Sequence, residues 1–135
     1  MFNHIDAPVK VDYTTPRIRD WRNLRHIIKD NFPEIKESSQ SYLIRHGMNK
    51  MIVARSEQKI LGFCYFEEFS RSKLHLLYLA TDKNFNRQGI ASQLLKHLNC
   101  FATNRGYISI VLTVEKNNLA AKNLYEKIGY VLNSD

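Results

Sequence analysis

The sequence predicts a mixed α/β fold, with one sheet that is part antiparallel and part parallel and helices on both of its faces. Three observations carry that reading. Strand-like runs at 51–55, 60–69 and 74–81 follow one another across short polar turns. Two helix-like segments precede them. A strand–helix–strand passage follows them, and such a crossover joins parallel neighbours. The predicted order is β-α-α-β-β-β-α-β-α-β. At 135 residues, 44% of them hydrophobic, the chain can bury one real core and is read as a single domain over residues 1–135.

Residues 9–13 alternate and predict a first strand. Thr15-Pro16 reads as a helix start, with Thr as N-cap and Pro at the first helical position. Ile18, Trp21, Leu24 and Ile28 give that helix its apolar stripe, and Asn31-Phe32-Pro33 breaks it. A second helix is expected at about 35–46, with Gly47 as its stop. Polar turns at Ser56-Glu57-Gln58 and Ser70-Arg71-Ser72 make the next three strands antiparallel hairpins. From about Arg87 a helix runs with Ile90, Leu94, Leu95, Leu98 and Phe101 on one face, and Gly106 ends it. Residues 108–114 predict a strand. Asn118 caps a further helix, Gly129 terminates it, and residues 130–132 begin a last strand.

The formal net charge of +7 favours an anionic partner, such as a phosphate-bearing ligand, a nucleic acid or an acidic protein. Arg17, Arg22, Arg25, His26 and Lys29 make the first helix basic, a pattern read first as a solvated face and second as an RNA contact. No apolar run approaches the ~20 residues that span a bilayer. The N-terminus lacks a basic region followed by an apolar stretch, so no signal peptide is expected. Cys64 and Cys100 are isolated, with no metal-ligand spacing, and are expected to be free thiols in a reducing cytoplasm. No metal and no membrane contact are expected.

The most informative stretch is Asn86-Arg87-Gln88-Gly89-Ile90-Ala91, between a strand and a helix. A glycine-bearing loop there leaves backbone N–H groups free at the positive end of a helix, which suits a phosphate. Alone, the commoner meaning of a Gly-x-Ala is an ordinary turn. A second segment changes the balance: Asn118-Leu119-Ala120-Ala121-Lys122-Asn123-Leu124-Tyr125-Glu126-Lys127-Ile128-Gly129-Tyr130, one strand further on.

Together, over residues 74–130, these segments resemble the GCN5-related N-acetyltransferase (GNAT) superfamily, which transfers acyl groups from acyl-CoA to amines. The resemblance implies a phosphate loop at Asn86, Arg87, Gln88, Gly89, Ile90 and Ala91. Gly89 and Ala91 match its pattern; Asn86 stands where the family has a Gln or a basic side chain. It implies that a strand ending Leu79-Ala80-Thr81 splays from one ending Thr113-Val114, with the pantetheine arm of acetyl-CoA in the gap. An N–H near Leu79 would polarise the thioester. Asn118 would contact the cofactor, cap its helix, or both. Tyr125 would protonate the departing thiolate. For the base, Thr113 cannot serve; His75 matches the position of a family Glu. In a simple strand His75 shares a face with Leu77, Leu79 and Thr81 and points where the cofactor arm runs. Glu67, Glu68 and Glu115 are lesser candidates. Asp30, Glu34 and Glu37 stand where the acceptor site is bordered.

The chain is shorter at its C-terminal end than the family pattern, which closes one side of the acceptor groove with two further strands. An open groove for a macromolecule, a homodimer covering the edge, and a protein that binds acyl-CoA without turnover are the three alternatives. The expected function is therefore N-acetyl transfer from acetyl-CoA to a small-molecule or protein amine. The alternatives are a non-catalytic acyl-CoA-binding regulator and, less favoured, an RNA-associated enzyme acting on aminoacyl-tRNA.

Overall fold

Strand alternation sends two apolar sets to opposite faces of one sheet, and each set recruits its own pair of helices. The computed structural model describes residues 10–86 and 88–132. Val9 and Arg87, both named above, lie outside the described residues. The elements are β1 (Asp12–Thr14), α1 (Trp21–Asn31), α2 (Glu37–Gly47), β2 (Met51–Ser56), β3 (Lys59–Ser70), β4 (Lys73–Thr81), α3 (Ile90–Asn104), β5 (Ser109–Val111) and α4 (Leu119–Ile128). The sheet has five strands in the order β1-β2-β3-β4-β5, antiparallel except for the parallel β4–β5 pair. This is the predicted mixed sheet.

On one face Met51, Val53, Ile60, Phe63, Tyr65 and Ala80 pack against Leu24, Ile27 and Ile28 of α1 and Ile44 of α2. On the other, Ile52, Ala54, Cys64, Phe66, Leu74 and Leu76 pack against Leu94, Leu95 and Leu98 of α3, and Leu124, Tyr125 and Ile128 of α4 border that cluster. β2 and β3 are buried on both faces, which is why they read as nearly continuous apolar runs.

The N-terminal helix starts later than its sequence suggests. Residues 15–17 stay extended, a 3-10 turn covers Ile18–Asp20, and α1 follows. The buried stripe is Leu24, Ile27 and Ile28, whereas Ile18 is 83% and Trp21 41% exposed. The cause is Asp20. Its carboxylate is buried, pairs with the buried Arg55 of β2, and accepts the Arg17 backbone N–H at 2.6 Å. That pair fixes the rotation of the turn and sends Ile18 outward. On the basic helix face Arg25 lies 4.0 Å from Glu37 and His26 3.4 Å from Asp30, both exposed pairs.

Gly47 is not a left-handed stop, since its φ is −104° and a 3-10 turn over Met48–Lys50 continues from it. Its lack of a side chain matters for another reason: a Cβ there would sit 2.5 Å from the Tyr65 ring. Gly89, Gly106 and Gly129 do have positive φ, and the predicted helix ends at the last two hold. The last predicted strand does not form at residues 130–132. The Tyr130 N–H is already spent on the Tyr125 carbonyl at 2.9 Å, closing the end of α4. No helix among the described residues is long and apolar enough to cross a membrane.

Removing one partner of a buried ion pair strands the other charge away from water. Asp20→Ala is therefore expected to destabilise the fold by about 3–5 kcal/mol, read as a lowered urea midpoint with the slope unchanged. A loss below about 1 kcal/mol would mean that the pair behaves as a surface bridge.

Candidate active site

β4 is the element on which the site is built. Along one edge it pairs with β3 throughout, from Gly62–Thr81 to Ser70–Lys73. Along the other it pairs with β5 only at Lys73–Ser109, Leu74–Ile110 and His75–Val111. β5 ends at Val111 rather than at the predicted residue 114, so the two strands separate before Leu79, Ala80 and Thr81. A gap is left beside the far half of β4, where N–H and C=O groups have no β5 partner.

The second feature of β4 is an extra residue. Tyr65 pairs with Tyr78 and Phe66 with Leu76, so Leu77 has no opposite number and forms a bulge. One extra residue exchanges the faces of everything beyond it. Leu74 and Leu76 point toward α3; after the bulge, Tyr78 and Ala80 point toward α1 and α2, while Leu79 borders the α3 side. His75 therefore does not share a face with Leu79. It lies opposite Glu67, on the α1–α2 side, with its ring edge-on to Phe69 at 5.9 Å. The expectation that it points into the cofactor gap is corrected by the bulge.

The glycine loop lies at the mouth of the gap. Gly89 is the N-cap of α3 at φ 77°, and nothing lies within 4 Å of where a Cβ would be. The Gln93 N–H bonds the Gly89 carbonyl at 3.0 Å, so the N–H groups of Ile90, Ala91 and Ser92 precede the first such bond of α3. Gln88 and Gly89 open a groove of about 450 Å³ that is also lined by Ser92, Gln93, Lys96 and Lys127. The two lysines were not singled out in the sequence. The signal was there in Lys96, seven residues from Gly89 and hence two helical turns along the same face. Asn86 takes a structural role: it accepts the Thr81 hydroxyl at 2.6 Å and ties the loop to the end of β4. Asn118 caps α4, its side-chain oxygen accepting the Ala121 N–H at 3.1 Å.

From α4, Tyr125 reaches the apolar cluster on the α3 side of the sheet, close enough to Cys64 of β3 for the two to interact. Burial, and secondarily Cys64, holds its phenol above the ordinary range. Tyr130 packs edge-on to Tyr125 at 5.5 Å, and burial pushes its phenol up to about 12. Its buried hydroxyl has no hydrogen-bond partner among the described residues. Tyr125 and His75 thus lie on opposite faces of the sheet, His75 at the last β4 position paired with β5. Glu67, exposed on the His75 face, accepts the Tyr65 hydroxyl at 3.0 Å. Glu68 faces away and is bonded by Tyr107. Glu115 is exposed in the turn before α4, remote in sequence from that face. Among the described residues no group of three or more His, Cys, Asp or Glu is placed to hold a metal ion.

The profile of the Acetyltransferase (GNAT) family matches residues 17–130 of this chain. N-acetyltransferase 8 of Homo sapiens is 29% identical over 102 residues, which cover 72% of this chain and 44% of that protein. The chain thus spans less than half the length of this curated relative. Among solved structures, Ard1 from Thermoplasma volcanium superposes with a TM-score of 0.81 at 22% identity, over 92% of this chain and 84% of that one. The aminoglycoside N-acetyltransferase AAC(6')-Iy in complex with CoA gives 0.84 at 12% identity, over 98% and 95%. At such identities these structures bear on the fold alone.

Burial pushes the Cys64 thiol up to about 12, whereas Cys100 is exposed. A thiol reagent at pH 8 is expected to label Cys100 at once and Cys64 only after unfolding. The sign of the linkage is fixed: Cys64 has a raised folded pKa, so its contribution to stability is complete below the ordinary thiol range. That contribution is lost as the pH climbs from there toward about 12. Rapid double labelling of the native protein would contradict the described packing.

Proposed function

This chain belongs to the Acetyltransferase (GNAT) family, and from that premise we propose that it transfers an acetyl group from acetyl-CoA to a primary amine. The observation that carries the proposal is the early parting of β4 and β5 beside a left-handed glycine at the start of α3. Those two features suit the two ends of one ligand. An amide-bearing arm can add to the free edge of β4 at Leu79, Ala80 and Thr81 as another strand would. A pyrophosphate suits the first-turn N–H groups of α3, at Ile90 and Ala91, and the positive end of its dipole. The bare backbone at Gly89 lets it come close. Lys96 and Lys127 line the same groove and add positive charge. Gln88 opens that groove, and Arg87 and Asn86 belong to the same loop. Asn118 contributes chiefly by capping α4.

Acetyl-CoA supplies an activated thioester when bound. The chain's own residues then divide the work across the sheet. An ammonium group carries no lone pair, so it must lose a proton before attack. His75, on the α1–α2 side, is assigned as the acceptor of that proton. As the C–N bond forms, a backbone N–H at Leu79 stabilises charge on the carbonyl oxygen. As the C–S bond breaks, Tyr125 gives its phenolic proton to sulfur from the α4 side, and the second proton shed by nitrogen as the amide forms restores the phenol. Burial supports that role, because a phenol held above its ordinary range stays protonated through neutral pH.

The test is release of free CoA from acetyl-CoA with a panel of primary amines. Tyr125→Phe is expected to lower kcat about 10²- to 10⁴-fold with acetyl-CoA binding retained in a thermal shift. Acetyl-CoA binding without turnover on any amine would favour the non-catalytic alternative. His75→Ala is expected to erase the acidic limb of the kcat/KM profile; an intact limb removes His75 from the role of base.

A further inference from the structure

Resting on the amine-acetylating reading, we infer that Glu67, oriented by Tyr65, is the anchor that holds the acceptor's ammonium group on the α1–α2 face of the sheet. His75 and Glu67 stand directly opposite one another on that face. Side chains so paired are about 4.5–5.5 Å apart at Cβ, close enough for one amine to touch both. Glu67 is exposed and makes no ion pair among the described residues, in a chain whose formal net charge is +7. Its recorded partner is the Tyr65 hydroxyl, 3.0 Å from one carboxylate oxygen. That bond orients the carboxylate and leaves the other oxygen free to accept a charged N–H.

The support for Glu67 is built deliberately from three elements. Tyr65 is 5% exposed, and its ring is met by α2 at Gly47, where a Cβ would be 2.5 Å away. Its other side meets the Tyr78 ring at 6.0 Å, and Tyr78 meets Phe32 at 5.0 Å. The ring whose hydroxyl holds Glu67 is therefore packed in place. Of the three carboxylates expected to border the acceptor, Asp30 lies 3.4 Å from His26 and Glu37 4.0 Å from Arg25, while Glu34 is exposed with no ion pair among the described residues; none of them faces His75 across a strand pair as Glu67 does. Anchoring and proton removal are thereby separated: Glu67 binds the ammonium ion, and His75 accepts its proton.

The probe is n-hexylamine, titrated into the protein alone and followed by amide chemical shifts, then used as acceptor in the CoA-release assay. Shifts centred on Tyr65, Glu67 and His75 are expected. Glu67→Gln is expected to weaken binding and raise the amine KM about 10- to 100-fold, with the acetyl-CoA KM and kcat nearly unchanged. Tyr65→Phe, which keeps the ring, is expected to move the amine KM the same way by less. An unchanged amine affinity in Glu67→Gln, or a fall in kcat at unchanged KM, overturns the assignment. Amine binding at Glu67 without CoA release would uphold the anchor and overturn acetyl transfer; CoA release indifferent to Glu67 would do the reverse.

Discussion

A strand has two hydrogen-bonding edges, and the site described here depends on β4 using one of them fully and the other for only three residue pairs. Buried backbone groups seek partners, so an edge abandoned inside a fold is a place where a polar extended ligand can bind. Everything else at the site is arranged about that edge. α3 begins at its open end, α4 brings Tyr125 up from one face, and His75 and Glu67 stand on the other. The proposed acyl transfer would benefit from this division, because donor and amine would enter from different directions.

The α1–α2 side of the sheet is held by contacts at both ends of α1. The buried pair of Asp20 and Arg55 docks the start of α1 onto β2. At the other end of α1, Asn31 donates to the Thr81 carbonyl at 3.1 Å. Thr81 in turn donates to Asn86 of the glycine loop. A short run of hydrogen bonds thus joins α1, the tip of β4 and the loop. Asn86 departs from the family's usual residue, yet it is well suited to this local link, since a short amide reaches Thr81.

Much of the fold was legible because it follows from periodicity. The three central strands, their two tight turns and the apolar face of α3 emerged within a residue or two of their observed bounds. The helix ends at Gly106 and Gly129 were legible because positive φ favours glycine. What alternation could not reveal was a departure from alternation. Leu77 is an ordinary β-former, and nothing in its neighbours marks it as the extra residue, so His75 was assigned to the wrong face. The start of α1 was misjudged for a related reason. Thr15-Pro16 is a sound local signal, but a long-range pair between Asp20 and Arg55 overrode it. Lys127 needed three dimensions, because it reaches the groove from α4, whereas Lys96 and the Tyr65–Glu67 pair follow from helical and strand spacing within one element.

The bulge also says something about how such a strand can change. A substitution at Leu77 alters one half-exposed side chain. The loss of that residue would turn the bulge into a regular ladder and keep every cross-strand pair, so His75 would still stand opposite Glu67. In β4, then, pairing with β3 rather than residue count decides which face the histidine takes. A relative one residue shorter at the bulge could present the same side chains on the same faces.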